Sequence, residues 1–168
     1  MINIQKDILT PKIIRYTKDI LKDLKWILAI DNQDYKKIMF NNETKFQGLS
    51  RQTSDSTDPI EQRLNDIGFI ITELVCKKAE IKPKKIHRFM WNLYKQGEEG
   101  TLHKDQKNDN YKSIVYCLNN SDGYLEVEGQ KVYDIENDAR IFNSNLSHKG
   151  VGPTNDTYRL NLNILLEI

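Results

Sequence analysis

Two cysteines, four prolines, eight glycines and three histidines are all that 168 residues hold of the types that most often staple, break or ligate a chain. Cys76 and Cys117 lie far apart with no metal-type pairing, so they read as reduced, buried thiols in a reducing compartment. Charge of one sign is missing too. Lys and Arg total 25 against 24 Asp and Glu, and a net charge of +1 gives no global attraction to nucleic acid or anionic lipid. No apolar run approaches the length of about 20 residues that crosses a bilayer. Met1 to Thr10 lacks the apolar block of a secretory signal. There is no internal repeat and no low-complexity tract. These absences leave a cytoplasmic protein, monomeric or weakly oligomeric, and the length suits one domain spanning 1–168 with a real core. Abundant Asn, Lys and Ile suggest an AT-rich source such as a small viral or bacterial genome; a virus-encoded protein would then act in the host cytoplasm.

The N-terminal part, 11–80, carries helical spacing. After Pro11, apolar residues recur at Ile13, Tyr16, Ile20, Leu24 and Ile27, with Leu21 and Leu28 alongside, which predicts one amphipathic helix. The polar stretch Asn41 to Thr57 predicts an exposed loop. A second helix starts at Asp58 as N-cap, with Pro59 at its first position and Glu61 placed for a capping box. Its stripe of Ile60, Leu64, Ile67, Ile71 and Leu74 predicts one buried face ending near Lys77-Lys78.

From 85 to 168 the period changes to two. His87, Phe89, Trp91 and Leu93 alternate with Arg88, Met90, Asn92 and Tyr94. Further strands are predicted at Tyr111 to Leu118, Tyr124 to Val127, Val132 to Ile135, Ala139 to Phe142 and Tyr158 to Leu166. The segments 119–123, 128–130 and 137–138 read as short hairpin links. Helices followed by short antiparallel strands imply an α+β domain, its helix layer on one face of a sheet sandwich.

His103-Lys104-Asp105 is the most informative triplet. On a strand, residues two apart share a face, so the imidazole and the carboxylate converge; on a helix they would diverge by roughly 200°. By chance alone a His-x-Asp arises in about one in four chains of this composition, and a surface His and Asp beside a turn would look the same. The ordered set raises its significance: Gly97 and Gly100 before it, strands after it, then His148 and Arg159. Two imidazoles and one carboxylate suit Fe(II) and leave positions open, whereas a structural zinc wants four protein ligands. His87, the other histidine, begins a strand and reads as structural or exposed. Arg159 opens the most regular strand; Leu160, Leu162, Ile164 and Leu166 take one face, and Arg159, Asn161 and Asn163 the other. If that second face looks inward, the guanidinium needs an anion, either a bound carboxylate or an internal Asp or Glu.

About half the chain, 86–167, resembles the prolyl-4-hydroxylase-like 2-oxoglutarate/Fe(II)-dependent dioxygenases. Tyr94-x-x-Gly97-x-x-Gly100-x-x-His103-x-Asp105 resembles the family's approach to its His-x-Asp, Tyr116-Cys117-Leu118-Asn119-Asn120 its Tyr-Leu-Asn strand end, and Ala139-Arg140-Ile141-Phe142 the strand before the distal histidine. The resemblance implies a double-stranded β-helix (jelly-roll, cupin-like) core with N-terminal helices packed on one sheet. It implies that His103, Asp105 and His148 hold iron and that Arg159 binds the far carboxylate of 2-oxoglutarate. Tyr94 and Asn161 would line that cosubstrate, core packing being the alternative. Dioxygen would be the second cosubstrate and ascorbate an optional reductant; 2-oxoglutarate would become succinate and CO2 as a C–H bond is hydroxylated. A peptide or protein substrate, with a prolyl side chain foremost, is the expected partner. Alternatives are a nucleic-acid or small-molecule oxygenase, a β-helix that only binds a ligand, and, more distantly, a zinc hydrolase. Gly100 stands where the family often has tyrosine, Tyr124 where it has a second glycine, and Asn137-Asp138 where a Pro-x-x-Gly turn is frequent. The basic run Lys77-Lys78, Lys82, Lys84-Lys85 and Arg88 reads as a solvated helix end and loop, because no aromatic platform accompanies it. Thr53 to Thr57 and Gln106 to Asn110 are candidates for an entrance lid or for plain loops.

Overall fold

The computed structural model describes residues 1–28, 48–54, 56–155 and 157–168. Ten strands and two helices appear among them: β1 (Asn3–Gln5), α1 (Pro11–Lys22), β2 (Ile27–Leu28), β3 (Leu49–Gln52), α2 (Pro59–Lys78), β4 (Lys85–Tyr94), β5 (Tyr111–Cys117), β6 (Ser121–Val127), β7 (Gln130–Asp134), β8 (Ala139–Asn143), β9 (His148–Val151) and β10 (Arg159–Glu167). The fold is α+β, a double-stranded β-helix of two unequal antiparallel sheets. The major sheet runs β1-β8-β5-β10-β4-β3-β2 and the minor one β7-β6-β9.

Strand parity decides what each face touches. On β4, Phe89 and Trp91 are 2% and 0% exposed, and with Leu160, Leu162, Ile164 and Leu166 of β10 they pack under the helices in one apolar cluster. Leu64, Ile71 and Val75 of α2 are fully buried there; burying each such side chain contributes roughly 1.5–3 kcal/mol. The opposite face looks between the sheets, where a smaller cluster, Val115, Leu125, Val127 and Phe142, fills one part. The rest of that interior is polar and forms the site.

Several boundaries depart from expectation. The first helix stops at Lys22, with Asp23 as its C-cap, and Ile27 and Leu28 form a strand instead of its last turn. Tyr16, placed by spacing on the buried stripe, is exposed. The stretch 41–57 is no continuous exposed loop: Leu49–Gln52 pairs with β4 and Thr53 is fully buried. Residues 41–47 and 55 of that stretch lie outside the described residues. Asp58 caps α2 as expected, its carboxylate accepting from Ile60 N at 2.8 Å. Glu61, however, does not close a capping box; its carboxylate accepts from Arg51 Nε at 2.6 Å, joining α2 to β3. Only 128–130 is a true hairpin link, between β6 and β7. The segments 119–123 and 137–138 instead carry the chain from one sheet to the other.

Because Asp58 satisfies two amides that no other helix residue can, Asp58→Ala should cost about 1 kcal/mol. Thermal unfolding of that variant checks it, and an unchanged midpoint would contradict the cap.

Candidate metal centre

His103 and His148 meet through their backbones. His103 N donates to His148 O at 3.0 Å and His148 N to His103 O at 2.8 Å, an isolated antiparallel bridge at the start of β9. That bridge puts both rings on one side, centroids 4.4 Å apart. Each ring is also turned by a carbonyl: His103 Nδ1 lies 2.8 Å from Thr101 O, and His148 Nδ1 2.9 Å from Leu146 O. A carbonyl oxygen only accepts, so Nδ1 carries the hydrogen and each Nε2 keeps a lone pair.

Both lone pairs face Asp105. His103 Nε2 is 3.7 Å from Oδ1 and His148 Nε2 3.4 Å from Oδ2. His148 is 2% exposed, and its Nε2 is buried without a hydrogen-bond partner. The ligand atoms of these three residues all lie within 4.8 Å of one another. An orphaned imidazole nitrogen, a second imidazole and a buried carboxylate are the donor set of a divalent borderline ion such as Fe(II). No fourth histidine, cysteine or carboxylate joins the group among the described residues, so positions around such an ion stay open. The residues therefore fit a metal.

Asp105 is held on both oxygens. Arg88 Nη2 donates to Oδ1 at 2.6 Å and Ser113 Oγ to Oδ2 at 2.6 Å. Burial favours its neutral form, yet the neighbouring His103 and His148 imidazoles and the bonds from Arg88 and Ser113 win and hold the carboxyl well below the usual carboxylate range. The facing Asp105 carboxylate raises the His103 imidazole, outweighing burial. In the metal-free protein the two shifts act in different windows. The contribution of Asp105 is present above about pH 4 and lost as pH falls towards its depressed pKa. The contribution of His103 is complete below about pH 6.5 and lost as pH rises through its raised pKa. Metal needs the neutral imidazole, so apparent Co(II) affinity should fall by about tenfold per pH unit once pH drops below the pKa of His103. Titration between pH 6 and 8 checks this; pH-independent affinity would remove His103 from the ligand set.

Arg159 stands on the same inward face of β10 as Asn163, four residues or about 13 Å along the strand. It is 1% exposed and already has an internal partner: Nε lies 2.9 Å from Asp134 Oδ2, though without the alignment of a hydrogen bond, and Nη2 donates to Oδ1 at 3.4 Å. Arg140, equally buried, places Nη1 3.9 Å from Asp134 and also donates to Cys117 Sγ and Tyr133 O. Two guanidiniums thus share one carboxylate, and the excess positive charge and the poorly satisfied Arg159 Nε suit an incoming carboxylate. The Tyr94 ring lies under the guanidinium, 5.2 Å from its carbon, and burial pushes the phenol up despite that cation. Gly150 leaves the room this needs, since a Cβ there would come within 2.6 Å of Arg159 Nη1 and 3.0 Å of Tyr94 Oη. Asn161 accepts from Asn92 Nδ2 at 3.1 Å, and its own Nδ2 is buried without a partner.

The structure thus gathers His103, Asp105 and His148 at one end of the interior and Tyr94, Arg159 and Asn161 at the other. His87 lies apart, its Nε2 3.4 Å from Glu167. Arg88, read from the sequence as part of a solvated basic run, instead turns inward onto Asp105. The alternation that buries Phe89 and Trp91 under the helices carried that signal. Ser113, Asp134 and Arg140 were not singled out; only Arg140, a charged residue inside an apolar strand, carries a mark in the sequence.

No family model and no curated protein matches the sequence. Solved structures do match. An oxidoreductase of the 2OG-Fe(II) oxygenase family from Burkholderia pseudomallei has TM-score 0.73 at 12% identity, covering 99% of this chain and 84% of its own. A Pseudomonas putida prolyl-4-hydroxylase has TM-score 0.68 at 13% identity, covering 99% and 91%. The non-heme alpha ketoglutarate dependent carbocyclase of nogalamycin biosynthesis has TM-score 0.71 at 9% identity, covering 99% and 79%. The chain has the fold of the prolyl-4-hydroxylase-like 2-oxoglutarate/Fe(II) oxygenases.

Proposed function

We propose that this chain, which has the fold of the 2-oxoglutarate/Fe(II) oxygenases, is itself a dioxygenase that holds Fe(II) through His103, Asp105 and His148. The observation that carries this reading is the buried His148 Nε2 without a hydrogen-bond partner, aimed at a carboxylate beside a second imidazole. Bound iron with 2-oxoglutarate and dioxygen would supply oxidative chemistry that yields succinate, CO2 and a hydroxylated C–H bond. The protein's own part is placement. Thr101 O and Leu146 O turn the imidazoles, Arg88 and Ser113 fix the carboxylate, and His148 lies buried while the His103 side chain is half exposed, on the side open to solvent. Arg159, freed in part from Asp134, would receive the far carboxylate of 2-oxoglutarate, with Tyr94 and Asn161 lining its stem. Ascorbate would serve only to restore ferrous iron.

For substrate we favour a peptidyl side chain, proline first, which rests on the motif resemblance and on the prolyl-4-hydroxylase among the structural neighbours. A small-molecule substrate is the second reading, favoured by the carbocyclase neighbour. No helix among the described residues is long and apolar enough to cross a membrane, and we propose action in the cytoplasm. The test is anaerobic loading with Fe(II), addition of 2-oxoglutarate and air, and quantification of succinate with and without candidate peptides. Succinate above the iron-free control supports the reading. No iron uptake, or uptake without succinate under any substrate, would sink it in favour of a ligand-binding module.

A further inference from the structure

Carboxylates bind divalent ions through one oxygen or through both. Asp105 is not free to choose. Arg88 Nη2 occupies Oδ1 at 2.6 Å, and the same nitrogen donates to Asn163 Oδ1 at 3.0 Å, which steadies the arginine from β10. Ser113 Oγ holds Oδ2 at 2.6 Å and lies 3.1 Å from Ser144 Oγ, so the plane of the carboxylate is set from two strands and a loop. The Asp105 side chain is 1% exposed and that of Arg88 23%, so this ion pair is largely withdrawn from water. A charge-assisted bond of this kind is among the stronger ones a protein makes. Of the two oxygens, Oδ2 is nearer an orphaned ligand nitrogen, lying 3.4 Å from His148 Nε2.

We propose that Arg88 is a positioning residue that keeps Asp105 a one-oxygen ligand, so that the metal retains the open positions a chelating anion needs. The inference rests on the metal reading given above. Chelation by both carboxylate oxygens would require Oδ1 to surrender Arg88, leaving a largely buried guanidinium with Asn163 alone. The guanidinium also cancels the charge of Asp105, so a divalent ion presents more of its own positive field to an incoming anion. Arg88 thereby acts on how the centre accepts its anionic partner more than on whether the ion binds.

The probe is oxalate, a chelating dianion too short to depend on Arg159, titrated into Co(II)-loaded protein and followed by the visible cobalt spectrum. Arg88→Gln should bind Co(II) within about threefold of wild type but oxalate about tenfold or more weakly, in the range set by partners of metal ligands. Its cobalt spectrum before oxalate should already differ, and Arg88→Lys, which keeps the charge, should recover much of the oxalate affinity. Wild-type oxalate affinity in Arg88→Gln would overturn the proposal. So would a parallel loss of Co(II) and oxalate, which marks a merely structural role. Should Arg88→Gln fail to fold by circular dichroism, Asn163→Ala carries the test: oxalate weakened by about threefold supports the proposal and unchanged affinity overturns it. Wild-type protein that takes up no Co(II) overturns the metal reading and this inference together. Wild-type protein that binds both probes, with Arg88 variants that do the same, overturns this inference alone.

Discussion

Asp105→Ala should reduce 2-oxoglutarate-dependent succinate formation to background while the sheets remain folded. Among the described residues it supplies the only carboxylate of the candidate centre, and its loss removes both the anionic donor and the group that both imidazole Nε2 atoms face. The fold should survive because Asp105 lies between the 103–148 bridge and β5, outside the apolar cluster that joins α1 and α2 to the major sheet. Arg88 would lose its ion pair and keep its bond to Asn163, a local cost at a side chain that is 23% exposed. Asp105→Asn keeps the shape and removes the charge, and so separates packing from ligation. Metal content, far-ultraviolet circular dichroism and succinate yield on the same samples decide the matter. Full turnover by folded Asp105→Ala would refute the assignment.

Arg159→Ala should weaken 2-oxoglutarate by roughly 2–5 kcal/mol, the cost of removing one partner from a buried charge pair. Metal affinity should stay near wild type, because Arg159 stands at the other end of the interior. Asp134 would keep Arg140 as a neighbour at 3.9 Å, so the variant remains compensated. Asp134→Ala is the opposite experiment. It strands Arg159 and Arg140 together in the interior, both 1% exposed, and should cost roughly 3–5 kcal/mol of stability. Calorimetric titration with 2-oxoglutarate and chemical denaturation check the two. If Arg159→Ala leaves cosubstrate affinity unchanged, Arg159 is only the partner of Asp134, and the anion binds elsewhere.

The places where sequence and structure part company share a physical cause. The first helix loses its last predicted turn because Leu24, Ile27 and Leu28 satisfy helical spacing and a strand edge equally well; pairing of Ile27–Leu28 with Leu49 and Ser50 decides between them. Glu61 sits at capping-box spacing, yet Arg51 offers a charged donor from β3 that a local backbone amide does not match. Asn119 to Gly123 has hairpin composition, but composition cannot report that its flanking strands belong to different sheets.

Periodicity, caps and the spacing of His103, Asp105, His148 and Arg159 were enough to assign an α+β chain with helices first and to nominate the residues of the site. Such features are local: they depend on which face of one element a side chain takes, and the alternation of a strand states that directly. What the tertiary structure alone decided is who meets whom across elements. Arg88 from β4 and Ser113 from β5 reach one carboxylate, and Asp134 at the end of β7 stands between two arginines of β8 and β10. Those encounters follow from the register of β4 and β5 on either side of β10 and from the closure of the minor sheet over them. Long-range pairing is a property of the whole chain's packing, and no window of sequence contains it.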